Sequence, residues 1–274
     1  MDPDLVKKGF LSISCANLKK LDITSDSDPY VIVSSQGGDG SWTEVARTGV
    51  QKNAENPYFP DRIPVEYNAD KDIVMQFSVK DCDDSESKGE SPRSEHLGDV
   101  TLKLSDIVTA PKSCVTKPFG SKSTISVHFE AESDNKSVVK FTISGTGLPT
   151  VGSCCDTPNA FITIFRRDDP TTDIWSNLGN TDVFPEATSN NWGDVQVPLS
   201  RMQSLDGGKT HREIRFALQR TRKEINGETK QCLCVGWVDT TYEAIAAKSP
   251  FIGDVVVGEG IKFGALTIRS VTVV

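Results

Sequence analysis

The sequence predicts an all-β protein built as two tandem antiparallel Greek-key β-sandwiches. Three observations lead there: short β-rich runs set between turn residues, no capped helical periodicity, and a pattern that restarts near the middle of the 274 residues. A chain of this length has room for two domains of ordinary size, each with a core of its own.

The first runs are Phe10-Leu-Ser-Ile-Ser14, Tyr30-Val-Ile-Val33, Ile73-Val-Met-Gln-Phe-Ser-Val79, Val100-Thr-Leu-Lys-Leu104 and Thr124-Ile-Ser-Val-His-Phe129. Several alternate apolar and polar residues with period two, as half-buried strands do. No long stretch combines 3.6-residue periodicity with capping residues, although Ile214 to Asn226 invites a helical reading. The pattern then repeats. Ser137 to Ser144 mirrors Phe10 to Ser14, Ala160 to Phe165 mirrors Tyr30 to Val33, and Cys232 to Val235 mirrors the strand ending at Val79. Each half also carries an apolar-Gly-Asp-Val step, Leu97 to Val100 and Ile252 to Val255. This is an internal duplication. The polar segment Glu130 to Lys136 is its junction, giving domains over residues 1–132 and 137–274.

Composition excludes several classes. Hydrophobic content of 36% and charged content of 25% are globular values, and no apolar run approaches the ~18 residues of a membrane-spanning helix. Met1-Asp2-Pro3-Asp4 carries acid where a secretory signal carries base, so a cytoplasmic location is expected, with the Asn135-Lys-Ser137 sequon unused. Seven cysteines without CxxC spacing point to reduced, mostly buried thiols. The net charge of −8 argues against nucleic acid. Residues 1–132 hold 22 acidic against 15 basic residues, whereas the remainder is nearly balanced, so the acid excess is a property of the first half.

That excess gathers in two loops, Asp22-Ile-Thr-Ser-Asp-Ser-Asp28 and Asp81-Cys-Asp83-Asp84-Ser-Glu86, the second running on to Glu95. Calcium takes six to eight oxygen ligands, which acidic loops at strand ends can supply. An EF-hand is excluded, because Glu86 stands where its glycine belongs and Pro92 where its bidentate glutamate belongs.

Leu21-Asp22 through Ser27-Asp28-Pro29-Tyr30-Val31 resembles the first calcium loop of C2 domains, and Asp81-x-Asp83 followed by Glu95-His-Leu-Gly98 resembles their third. Asn56-Pro57-Tyr-Phe59 resembles the Asn-Pro turn between them. Ser14-Cys15-x-Asn17-Leu18 and Gly38-Asp-Gly40-Ser-Trp42-x-Glu44-x-x-Arg47-Thr48 narrow the resemblance to copines. It implies C2-type sandwiches, with calcium held in the first by Asp22, Asp28, Asp81, Asp83 and Glu95. Glu95 stands where the family usually has Asp, and Asp26 and Asp84 are expected to be solvated neighbours. Lys19, Lys20, Lys88 and Arg93 flank the loops and are candidate headgroup contacts. In the second half Asn159 and Ser153 fall at the first-loop positions and Asp239 alone remains in the later loop, with Asp156 a few residues out of line, so no calcium is expected there.

The function implied is calcium-dependent binding to an anionic phospholipid membrane, with recruitment from the cytoplasm when calcium rises and a possible protein partner for the second domain. Copine-like proteins continue with a von Willebrand A-type domain, and no segment here matches one. The rival is a calcium-independent interaction scaffold. Catalysis is not expected: His96, His128 and His211 sit in unrelated contexts, no GxSxG elbow occurs, and Gly145-Thr-Gly147 reads as a strand-end loop.

Overall fold

The computed structural model describes residues 6–19, 27–82, 94–132, 137–148, 159–167, 175–185, 191–202, 212–221, 231–258 and 260–273. Two compact units divide the chain, Met1–Glu132 with Glu224–Gln231 and Ser133–Lys223 with Cys232–Val274.

The first unit contains β1 (Val6–Ala16), β2 (Pro29–Gln36), β3 (Trp42–Arg47), a short β4 (Val50–Gln51), β5 (Ile63–Asn68), β6 (Val74–Cys82), β7 (Ser94–Lys103), α1 (Leu104–Thr109), β8 (Cys114–Phe119) and β9 (Ser123–Ala131). They form two antiparallel sheets, ordered β5-β1-β9-β8 and β3-β2-β6-β7. Period-two alternation is plainest in β6, where Met75, Phe77 and Val79 are buried and the residues between them half-buried. With Leu11 and Ile13 of β1, Val31 and Val33 of β2, and Ile125 and Val127 of β9 they make one core. Each such buried side chain stabilises the fold by about 1.5–3 kcal/mol. Asp81 continues the inward phase of β6 past Val79, which is why this carboxylate is only 3% exposed.

The second unit contains β10 (Val138–Thr146), β11 (Asn159–Arg167), β12 (Trp175–Asn180), a short β13 (Phe184–Pro185), β14 (Asn191–Pro198), α2 (Leu199–Met202), β15 (Glu213–Thr221), β16 (Gln231–Thr241), α3 (Tyr242–Ala247), β17 (Phe251–Val257) and β18 (Ile261–Val273). Ile214 to Thr221 is strand, and Gly147 closes β10 with φ +61, a conformation that favours glycine. Strand order is β12-β11-β15-β16-β17-β18-β10-β14, with β13 on β11. Because β16 and β17 meet in the register of one pair, Trp237 opposite Val256, the strands separate there into β12-β11-β15-β16 and β17-β18-β10-β14. The core gathers Phe141, Ile162, Phe216, Leu218 and Ile268, with Phe141 and Phe216 edge to face at 5.5 Å.

These two sets repeat the two sheets of the first unit strand for strand, with β10 matching β1, β11 matching β2, β15 matching β6 and β16 matching β7. Two marks fix the correspondence. Val31 N–H donates to the Thr48 hydroxyl at 2.9 Å, and Ile162 N–H donates to the Thr181 hydroxyl at 2.9 Å. The β6–β7 register breaks after Val79 opposite Gly98, and the β15–β16 register breaks after Leu218 opposite Gly236. The expected alignment of the repeats is corrected in its later part. Cys232 to Val235 lies in β16, the counterpart of β7 rather than of the strand ending at Val79. Ile252 to Val255 lies in β17, the counterpart of β8, so its likeness to Leu97 to Val100 is coincidental.

Of the cysteines described, Cys15, Cys82 and Cys232 are buried free thiols, Cys114 is half-buried and Cys234 is exposed. Burial pushes the Cys15 thiol well up from its ordinary value.

Candidate metal centre

In the first unit β1 ends, β2 begins, β6 ends and β7 begins at the same end of the sandwich. Register decides which side chains meet there. β2 and β6 pair Pro29 with Asp81, and β6 and β7 pair Asp81 with Glu95, so Asp28, Asp81 and Glu95 occupy neighbouring strand ends. Asp28 is half-buried and Glu95 exposed. Asp22, Asp83, Asp26, Asp84, Lys20, Lys88 and Arg93 lie outside the described residues. The chain segments that carry them join β1 to β2 and β6 to β7 at this end. Lys19 is described and exposed, and its carbonyl accepts from the Ser27 hydroxyl at 2.9 Å.

Main-chain donors hold the two inner carboxylates. Asp28 N–H donates to Asp81 Oδ1 at 2.6 Å, and Asn53 N–H donates to Asp28 Oδ1 at 2.8 Å. Cys82 N–H donates to the Asp28 carbonyl at 3.0 Å, and Ala54 N–H to the Ser27 carbonyl at 2.9 Å. The start of β2 is thus stitched to the end of β6 on one side and to residues 53–54 on the other. Charge-assisted bonds of this kind are short and strong, and they position the carboxylates before any ion arrives. The Asn-Pro turn serves the same end of the unit. Asn56 Oδ1 accepts from Asn17 N–H at 2.9 Å, and the Glu55 and Pro57 carbonyls accept from Leu18 and Cys15 at 3.0 Å each.

Sequence reasoning did not find Lys52. Its Nζ lies 2.5 Å from Asp28 Oδ2, and the two side chains are 21% and 20% exposed. No local spacing rule joins a lysine to an aspartate 24 residues earlier. Among the described residues no group of three or more His, Cys, Asp or Glu side chains stands ready to hold a metal ion. Asp28 and Asp81 are nonetheless hard oxygen donors fixed side by side, the ligand chemistry that calcium takes.

The equivalent end of the second unit has changed in kind. β11 and β15 pair Ala160 with Arg220, and β15 and β16 pair Arg220 with Leu233. Counting from the matched register breaks, Asn159 stands at the place of Asp28, Arg220 at that of Asp81 and Leu233 at that of Glu95. The Asn159 assignment agrees with the sequence, whereas Asp239 is corrected. It lies well inside β16 and takes a bidentate pair from Arg215, with Nε–Oδ1 2.7 Å and Nη2–Oδ2 2.8 Å. Arg215 stacks between Trp175 and Trp237, its guanidinium carbon 4.2 and 4.7 Å from their ring centroids. Asp239 is therefore engaged in holding a side-chain stack on the sheet. Ser153 and Asp156 lie outside the described residues. Matching Gly236 with Gly98 is the sequence signal that finds Leu233, three residues earlier as Glu95 is, whereas Arg220 follows only from the pairing of β15 with β16.

Among the described residues no helix is long and apolar enough to cross a membrane. The C2 domain family profile matches residues 10–119. Copine-C of Dictyostelium discoideum is 32% identical over 102 residues, covering 37% of this chain and 19% of that protein. Copine-A of the same organism is 23% identical over 214 residues, covering 75% of this chain and 33% of that protein. Protein BONZAI 2 of Arabidopsis thaliana is 28% identical over 134 residues, covering 47% and 23%. The chain thus matches a third or less of the length of these relatives. Together with the repeated sandwich topology, these matches make the chain similar to copines, with the C2 domain family matched over residues 10–119.

Proposed function

We propose that this chain is a calcium-dependent binding module for anionic phospholipid membranes, with calcium held by the first unit through Asp22, Asp28, Asp81, Asp83 and Glu95. The observation that supports this most is the register that brings Asp28, Asp81 and Glu95 to adjacent strand ends, where the two acidic loops attach. Asp81 contributes a buried carboxylate whose position is set by the core-facing phase of β6. Asp28 contributes one whose orientation is set by Asn53 N–H. Without a metal this acidic end repels a surface that attracts bases at about 1 kcal/mol per charge. Calcium held there would supply positive charge and attract lipid phosphate or carboxylate oxygens. Lys19, together with Lys20, Lys88 and Arg93 beside the acidic loops in the sequence, would supply headgroup contacts.

The second unit binds no calcium in this scheme. Asn159, Arg220 and Leu233 put a cation and an apolar side chain where the first unit has carboxylates, which supports a calcium-independent role such as a protein contact. The module is a binder rather than a catalyst, cytoplasmic at rest and recruited to membrane when calcium rises. The test is co-sedimentation of the whole chain with phosphatidylserine vesicles, in calcium and in chelator. Pelleting in calcium alone, lost in Asp81→Asn, is expected. Equal pelleting in both conditions, or none in either, would sink the proposal in favour of an interaction scaffold.

A further inference from the structure

The pair between Lys52 and Asp28 has no place in the scheme above, because a cation already sits on a carboxylate that calcium is to use. Asp28 has few positions to share. Oδ1 accepts from Asn53 N–H at 2.8 Å and Oδ2 from the Lys52 ammonium at 2.5 Å, while a carboxylate offers about four lone-pair sites in all. The ammonium is also tethered. Its segment is fastened to Ser27 and Asp28 by the N–H groups of Ala54 and Asn53, and Asn53 adopts φ +49 to make that turn. Both side chains are four-fifths buried, so solvent and salt screen the pair less than an exposed one.

We propose that Lys52 is a built-in counter-cation of the first unit, neutralising Asp28 in the metal-free protein and raising the calcium concentration at which the site fills. This rests on the proposed function and deepens it. A divalent ion reaching Asp28 meets a fixed like charge on the same carboxylate, so it either displaces the ammonium or binds beside it against repulsion. Displacement subtracts the Lys52–Asp28 attraction from calcium affinity, and binding beside the ammonium subtracts the repulsion between the two cations. In the metal-free protein the same attraction relieves the repulsion between Asp28 and the adjacent Asp81 and stabilises the fold.

The experiment compares the parent chain with Lys52→Gln and Lys52→Arg by calorimetric titration of calcium chloride into metal-stripped protein. It is repeated with phosphatidylserine vesicles present, and melting temperatures are taken with and without calcium. Lys52→Gln removes the charge and is expected to bind calcium about tenfold tighter, since a pair worth about 1.4 kcal/mol corresponds to that factor. It also melts earlier than the parent without calcium and gains more on calcium addition. Lys52→Arg keeps the charge and the parental affinity. Unchanged or weaker calcium binding by Lys52→Gln overturns this inference alone, as does a Lys52→Arg variant that behaves like Lys52→Gln. No calcium binding by parent or variants, with or without vesicles, overturns the site assignment and this inference with it.

Discussion

Asp81 is both a buried hydrogen-bond acceptor and a proposed calcium ligand, and two substitutions separate the roles. Its Oδ1 accepts the Asp28 N–H at 2.6 Å, and its side chain continues the inward phase of β6. Asparagine keeps an acceptor oxygen in that place but removes the charge. Alanine removes both and leaves the Asp28 N–H without this acceptor in a poorly solvated spot, at a cost of about 1–3 kcal/mol. For a domain of this size roughly 4 °C of melting temperature corresponds to each kcal/mol. In chelator, Asp81→Ala is therefore expected to melt about 4–12 °C below the parent, by calorimetry or circular dichroism. Asp81→Asn should stay within about 3 °C of the parent, because it keeps the bond and relieves carboxylate repulsion. Adding calcium should raise the melting temperature of the parent and of neither variant. If the two variants melt together in chelator, the hydrogen bond is not what anchors the start of β2. If calcium stabilises Asp81→Asn as it does the parent, Asp81 is not a ligand.

Asp239→Asn should leave calcium titrations unchanged and lower the stability of the second unit by about 1 kcal/mol, since it breaks a partly exposed bidentate pair; altered calcium binding would return Asp239 to the ligand set. Phe216→Ala removes a fully buried ring that meets Phe141 edge to face, and urea denaturation should report a loss of about 3–5 kcal/mol. The Lys140 ammonium at 2.7 Å, aided by the Thr142 hydroxyl at 2.5 Å, holds the Asp194 carboxyl below its usual range. A depressed folded-state value means that its contribution is present above the unfolded-state value and fades as pH falls through the folded one. Melting temperatures measured from about pH 2 to 7 should fall less steeply on the acid side in Asp194→Asn than in the parent.

Much of this architecture is a matter of short-range pattern. Period-two alternation marks β6 and β10 because neighbouring side chains of a strand face opposite ways, whatever the strand pairs with. The clustering of Asp22, Asp28, Asp81 and Asp83 beside strand ends is likewise visible in the chain, as is the restart that announces a second sandwich. Alternation reports only which face a residue takes. Strand partner and register are set by contacts between distant segments, and for this reason sequence pattern alone pairs Cys232 to Val235 and Ile252 to Val255 with the wrong strands. With register in hand, Arg220 stands at the place of Asp81, Asp239 belongs to Arg215, and Glu95 lies opposite Asp81. Lys52 reaches Asp28 only because the segment after β4 folds back against the start of β2. Strands, duplication and acidic loops are legible in the chain, since these follow from local geometry and composition. Tertiary structure alone decided which charges face one another, because Coulomb and hydrogen-bond partners are chosen by distance in space.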